Sequence, residues 1–410
     1  MTFDSWVGAL RERNFRLYFI GQLTSWIGTG MTMVALAFAV FRSERSATAL
    51  GIVLMADTIP LALFILVGGV IADRIGRRRV MLSSDVLRGV AQASLGVWVL
   101  TAQPPLWGFV VFAALVGTGT AFFSPALTGL IPEVVSPRRL SQANALDGLT
   151  NSIGMIAGPA LAGIIVATTS PGWAIVADAS SYGVSVVSLA LLRLPPVLPK
   201  AATSFVHQLR EGWKEFWSRT WLWVIALQWW ISDMVIFGPY FVLGALVSSK
   251  YLGGSTTWGS ILAAGGAGSV GGGLVLLRVR PKRPLLVGTL SMLVFAWPLL
   301  ALAYRAPVPL IAAGAFFMGA ATALQLTLWN TTVQREVPAE VLSRVSSYDL
   351  FGSLVFLPVG YAIVGPVSGA VGIRATFLGA SVWCVASAVG VLAMPSVRKL
   401  TARDTVSPKG

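Results

Sequence analysis

The carboxylates decide what chemistry this chain can perform. All seven glutamates (Glu12, Glu44, Glu133, Glu211, Glu215, Glu336 and Glu340) fall between long apolar runs, whereas most aspartates fall inside such runs or at their edges. Asp57 lies about 14 Å along its apolar run, and Asp233 about 18 Å along another, at 1.5 Å per helical residue. In a hydrocarbon core ~30 Å thick both are close to the middle. An aspartate there costs about 2.5–3.5 kcal/mol, so each demands a task or a partner. Two readings follow: a group that carries protons or holds a cation, or a protonated carboxyl hydrogen-bonded to a neighbouring helix. Asp57 and Asp233 are the candidates for proton coupling.

A second constellation is the hinge Gly68-Gly69-Val70-Ile71-Ala72-Asp73-Arg74-Ile75-Gly76-Arg77-Arg78-Arg79, which places one acid and four arginines between two apolar segments. An acid at a helix C-terminus sits where unpaired carbonyls already make the potential negative, so Asp73 needs a cationic or donor partner. Asp85 and Arg88 stand three residues apart, on one helical face, and form an internal pair within reach of that loop. Asp147 and Asp349 lie just inside helix starts, where an acid is favoured, and Asp178 reads as an interfacial group. The segment Gly154-Met155-Ile156-Ala157-Gly158-Pro159-Ala160-Leu161-Ala162-Gly163 combines small residues at helical spacing with a proline, the pattern of a closely packed, bent helix.

Enzyme chemistry has no foothold. The only histidine, His207, lies in a linker without a ligand set or catalytic partner, and Cys384 reads as a packing residue, so no metal site and no nucleophile is expected. Gly265-Gly266-Ala267-Gly268 and Gly271-Gly272-Gly273 lack the preceding strand of a dinucleotide loop and read as helix-packing glycines.

These residues need membrane helices to hold them. With 55% hydrophobic residues, 11% charged and a mean hydropathy of +0.77, the chain is too apolar for a soluble protein of 410 residues. Twelve apolar spans are expected: 15–41, 47–71, 80–102, 105–130, 143–168, 173–194, 221–247, 256–277, 284–304, 308–333, 343–367 and 372–394. The formal charge of +14 does not indicate nucleic acid, because the basic residues are clustered between spans. With the N-terminus in the cytoplasm, 24 of the 30 basic residues fall on that side; the others are Arg42, Arg45, Lys250, Arg305 and Arg374 outside and Arg88 within a span. That bias places both termini in the cytoplasm. The expected layout is a six-helix bundle over 1–194, a linker over 195–220 with three prolines and a tryptophan-bearing stretch that is either interfacial or solvated, a second six-helix bundle over 221–394 and a tail over 395–410.

The halves are related. Val135, Leu140, Ser141, Asp147 and Gly158 recur 202 positions later as Val337, Leu342, Ser343, Asp349 and Gly360. The cations of the hinge recur as Arg278 and Arg283, but Leu277 stands where Asp73 would be. A cavity between the halves would be lined by the spans that begin each three-helix repeat: one, four, seven and ten. Gln22, Trp26, Phe122, Phe123, Gln228, Trp229, Tyr240, Gln325, Trp329 and Asn330 are the cavity candidates, an aromatic and amide set suited to amphipathic organic molecules.

Gly69, Asp73, Arg74, Gly76, Arg77, Arg78 and Arg79 resemble the signature loop between helices two and three of the major facilitator superfamily. Arg11-x-Arg13-Asn14-Phe15-Arg16-Leu17-Tyr18, followed by Gly21-Gln22 and Ser25-x-x-Gly28, is similar to the start of its drug:proton antiporter-3 branch, which includes macrolide and multidrug pumps and siderophore exporters. Gly154, Gly158, Pro159 and Gly163 are similar to the fifth-helix motif associated with exporters. The chain departs from relatives at Thr29, where many carry an acid, and in lacking an arginine on span four.

The resemblance implies an all-α integral membrane protein of two pseudo-symmetric six-helix bundles, exporting small amphipathic molecules through the inner membrane. It would work as a monomer in the lipid bilayer by alternating access, with protons as the exchanged ion and no cofactor. Proton-coupled import of a nutrient is the alternative transport reading, and a non-transporting scaffold or sensor is the alternative of another class. Gly69, Asp73, Arg74, Gly76, Arg77, Arg78, Asp85 and Arg88 are the expected conformational gate.

Overall fold

The computed structural model describes residues 8–194, 213–278 and 281–400, and within them the fold is all α with no strand. Twelve long helices follow in order: α1 (Arg13–Ser43), α2 (Ala47–Ile75), α3 (Arg77–Thr101), α4 (Leu106–Val134), α5 (Leu140–Thr168), α6 (Pro171–Ala190), α7 (Thr220–Tyr251), α8 (Ser255–Arg278), α9 (Pro284–Ala303), α10 (Val308–Glu336), α11 (Ala339–Val371) and α12 (Ile373–Leu392). Eleven contain a stretch long and apolar enough to cross a membrane. The exception is α3, whose composition fails because Arg77, Arg78, Arg79, Asp85 and Arg88 lie on it. Its Ser84, Asp85, Arg88 and Gln92 are all buried, so the helix hides its charges from lipid rather than lacking them.

Local sequence explains where the helices begin and turn. Pro171 and Pro284 open α6 and α9 at positions where a missing N–H costs nothing. Ser46 caps α2 by accepting from Ala49 N at 3.3 Å. Gly76 joins α2 to α3 at φ +97°, a conformation that disfavours any side chain, which accounts for the glycine of the hinge. Two helices are not uniform: α7 carries a π-helical turn over Asp233–Phe237, and α9 a 3-10 turn over Met292–Phe295.

The described residues pack as two units. One comprises those of Met1–Ala202, Phe241–Ala263 and Tyr361–Pro366; the other those of Thr203–Tyr240, Ala264–Gly360 and Val367–Gly410. In the first, α1 packs on α5 and α6, α2 on α4, and α3 on α4 and α6. In the second, α7 packs on α12, and α9 on α10 and α12, the same pattern shifted by six helices. A short helix over 213–218 belongs to the second unit; its Phe216 is buried and stacks on Trp230 with ring centroids 5.8 Å apart, while Trp213 and Trp217 stay exposed. The rest of the linker, including His207, lies outside the described residues.

Candidate functional site

The first unit encloses a cavity of about 250 Å³ walled by α1, α2, α3, α4 and α6. The charged side chains lining it are Asp57, Arg88 and Asp178. Small residues bring their helices close enough to form it. A Cβ on Gly117 of α4 would come within 1.8 Å of Asp57 O, and one on Gly28 of α1 within 2.3 Å of Asp178 Oδ1. A side chain at Gly117 would force the backbone of α2 away at Asp57, and one at Gly28 would displace the Asp178 carboxylate.

Each charged group is held differently. Arg88 donates through Nη2 to Asp85 Oδ1, Ser185 Oγ donates to Asp85 Oδ2 at 2.6 Å, and Asp85 is fully buried. The guanidinium also lies between two rings, 4.1 Å from the Phe123 centroid and 4.6 Å from that of Tyr182, an arrangement that favours a planar cation. The Asp178 carboxylate receives two side-chain donors, Thr32 Oγ1 at 2.7 Å and Gln92 Nε2 at 2.9 Å; Ser181 Oγ donates to the backbone Asp178 O at 2.7 Å and lies 3.4 Å from Oδ1. Asp57 has no hydrogen-bond partner among the described residues; Arg88 is the cation whose field reaches it. Ser25 Oγ, Trp26 Nε1 and Arg88 Nε in the same wall are also without partners.

The signature hinge serves the opposite task, closing helix ends. Arg77 Nη1 donates to Gly129 O at 2.6 Å and to Glu133 Oε1 at 2.7 Å on α4, while Arg78 Nε donates to Leu189 O at 2.8 Å and its Nη2 to Ala190 O on α6. On the last carbonyls of α6, Arg78 satisfies orphan acceptors and opposes the negative end of the dipole, while Arg77 ties α3 to the closing turns of α4 through a carbonyl and a carboxylate. Arg74 is exposed, and the side chain of Asp73 lies outside the described residues. Asp85 turns to Arg88 and Ser185, away from these helix-end contacts. Gly69 meets only Pro125 at an ordinary 3.7 Å, whereas a Cβ on its neighbour Gly68 would lie 2.5 Å from Ala121 O.

A family model described as Major Facilitator Superfamily matches residues 18–355. The chain belongs to the major facilitator superfamily. Proteins named as efflux pumps are among its relatives, in line with the Arg11–Tyr18 resemblance. It is 28% identical over 402 residues to the multidrug efflux pump Tap of Mycolicibacterium fortuitum, covering 94% of this chain and 96% of the relative. It is 23% identical over 403 residues to macrolide efflux protein A of Streptococcus pyogenes, covering 95% and 99%. Solved structures share the fold. The nucleoside transporter NupG gives a TM-score of 0.75 at 13% identity, covering 93% of this chain and 99% of the other. An inward-facing bacterial homolog of the human lysosomal transporter Spinster gives 0.71 at 15%, covering 94% and 97%. The protein is thus a multi-pass membrane transporter of this superfamily and not an enzyme.

Within that family frame the other expected site residues divide clearly. Gln22, Trp26 and Phe123 line the cavity of the first unit; Phe122 instead stacks on Phe64 at 6.2 Å. Gln228, Trp229, Gln325 and Trp329 meet in the second unit around a space of only about 20 Å³, room for one water. Tyr240 is buried apart from that space, and Asn330 is exposed. Asp233 stands at the start of the π-helical turn, hydrogen-bonded to Ser353 and close enough to Asp349 to feel its charge. Such turns are frequent at functional positions. Asp147 accepts from Tyr18 OH at 2.6 Å, and its repeat mate Asp349 from Trp329 Nε1 at 2.7 Å, so both are held by aromatic donors.

Asp178 is the residue that sequence reasoning misplaced: it is fully buried in the cavity wall, not at an interface. A signal existed. Asp178, Ser181, Ser185 and Ser188 recur at spacings of three and four residues on an otherwise apolar helix, and all four are buried. A polar stripe at helical period in a membrane span must face protein rather than lipid.

Proposed function

We propose that the protein exports small amphipathic organic molecules across the cell membrane in exchange for protons, working as a monomer by alternating access with no cofactor. The observation that carries this reading is the unpartnered Asp57 carboxyl in the cavity of the first unit, whose wall also includes Trp26, Phe123 and Tyr182. An acid without a hydrogen-bond partner favours a protonated or cation-bound state, and aromatic walls suit organic cations better than sugars or inorganic ions. Efflux relatives over almost the full chain support the outward direction. A cavity of about 250 Å³ is below the size of a typical drug pocket, so it receives the basic group and an adjoining ring rather than a whole large substrate.

In this scheme the substrate cation and a proton compete for Asp57. Asp233 offers a second coupling acid in the other unit, and Arg77 and Arg78 of the hinge anchor α4 and α6 at the cytoplasmic end, where both termini lie. Everted membrane vesicles test the assignment. Asp57→Asn should abolish pH-driven uptake of a fluorescent cation while leaving the protein in the membrane; unchanged pH-driven uptake in both Asp57→Asn and Asp233→Asn would refute the coupling.

A further inference from the structure

Charge counting in the cavity of the first unit leads past a single coupling acid. Three aspartates, Asp57, Asp85 and Asp178, share one arginine, Arg88, whose field reaches all three. Arg88 is spoken for by Asp85, to which it donates and with which it is buried. That leaves two carboxyls at membrane depth without a cation of their own. They lie on different walls, Asp57 on α2 and Asp178 on α6, and both line the same space.

We propose that Asp178 is a second proton-carrying group, so that export of one monovalent cation returns two protons. The inference rests on the antiport reading above. With the substrate cation bound both carboxyls are ionised and both protons have left: the cation pairs with Asp57, while Thr32 and Gln92 donate to the Asp178 carboxylate. Once the substrate has left, two uncompensated carboxylates remain in a low-dielectric cavity, at about 2.5–3.5 kcal/mol apiece on the insertion scale. Protonation of both carboxyls removes that cost before the empty site reorients; each proton is taken up from outside and released inside. The surroundings of Asp178 offer no substitute for its proton. The charged and titratable groups acting on it are Arg88 of α3, already paired with Asp85, and Tyr182 on its own helix. No titratable group of α1, α4 or α5 acts on it, and Thr32, Gln92 and Ser181 are neutral.

Two protons in for one monovalent cation out moves one net positive charge inward per cycle, so an inside-negative potential drives export. A one-for-one exchange moves none. Proteoliposomes of the purified full-length protein, with ethidium as the monovalent probe, separate the cases by imposing a pH gradient alone, then a potassium–valinomycin potential alone. Wild-type export is expected to respond to both. Asp178→Asn should keep the response to the pH gradient and lose the response to potential, and Asp178→Glu should restore it. Should Asp178→Asn not fold, Gln92→Lys places a permanent cation beside Asp178 and is expected to abolish the potential response in the same way. A wild type driven by the pH gradient but indifferent to potential overturns the two-proton count and leaves antiport standing. A potential response retained in Asp178→Asn or Gln92→Lys overturns the role of Asp178. Indifference of the wild type to the pH gradient removes the antiport reading itself, and this inference with it.

Discussion

Arg88 is the residue on which the first unit is balanced. It is 6% exposed, donates to Asp85 and lies between the rings of Phe123 and Tyr182, so removing it strands a fully buried carboxylate. Breaking a buried pair from one side costs about 3–5 kcal/mol, whereas replacing both partners by neutral groups costs far less. Arg88→Gln should therefore lower the melting temperature of the purified protein more than the double variant Asp85→Asn/Arg88→Gln does. Additive losses in the two single variants, measured in the same detergent, would mean that the pair is not coupled. Much of this was legible beforehand. The i, i+3 spacing of Asp85 and Arg88 declared the pair, and the depth of Asp57 declared an acid in need of a task. Asp178 was missed because distance from the span end was weighed above the polar stripe that it begins. The partners that hold it, Thr32 on α1 and Gln92 on α3, are 146 and 86 residues away in sequence, and no local pattern announces them.

At the scale of elements, the glycines of α5 are contact surfaces. A Cβ on Gly154 would lie 2.5 Å from the Trp26 carbonyl carbon, and one on Gly158 2.6 Å from Ile27 O and 2.7 Å from Gly30 Cα, all backbone atoms of α1 that cannot swing aside. Gly30 answers from the other side, with Gly154 O at 2.4 Å from its would-be Cβ. The sequence read this stretch as close helix contact with a bend at Pro159; the glycines make close approaches, and Pro159 lies inside the helix Leu140–Thr168. Gly158→Val should then abolish monodisperse folded protein on size-exclusion chromatography, while Gly148→Ala on the same helix, with nothing within 4 Å of its Cβ, should leave the profile unchanged. Equal behaviour of the two would refute the seam. The boundaries of most helices were readable from apolar length, because in lipid a spanning segment must satisfy its own backbone. The case of α3 shows where that reading thins, since its charges are affordable only through partners on α4 and α6.

At the scale of the molecule, the repeat explains why the two halves differ. Packing of α3 on α4 and α6 is echoed by α9 on α10 and α12, yet the cavity and its arginine belong to the first unit, and the second offers Asp233 near Asp349 and, apart from them, a space for one water among Gln228, Trp229, Gln325 and Trp329. Divergence of duplicated bundles leaves the scaffold legible as sequence periodicity and hides the specialisation, which lies in single residues such as Leu277 in place of Asp73. The first unit also takes in parts of later helices. At the end where α5 finishes and α8 begins, Ser255 Oγ and Thr256 Oγ1 donate to Gly163 O at 3.1 and 3.3 Å, and a Cβ on Gly259 would lie 2.3 Å from Pro159 O. Near the start of α2, a Cβ on Gly51 would lie 2.1 Å from Tyr361 O of α11. Under the proposed alternating access, backbone-to-backbone seams of this kind are expected to part in each cycle. A Cβ on Gly163 would sit 2.9 Å from Ser255 O and 3.1 Å from Thr256 Cα, so the seam must give by a few tenths of an ångström to admit it; a cysteine pair Gly163→Cys/Thr256→Cys, built in a Cys384→Ser background, then brings two thiols together across the seam and should oxidise to a disulfide. The oxidised protein is expected to lose at least tenfold in ethidium export and to recover it on reduction, with each single variant unaffected by oxidant. Full export with the disulfide quantitatively formed would show that the α5–α8 seam stays shut throughout transport, and the route out would then have to avoid it.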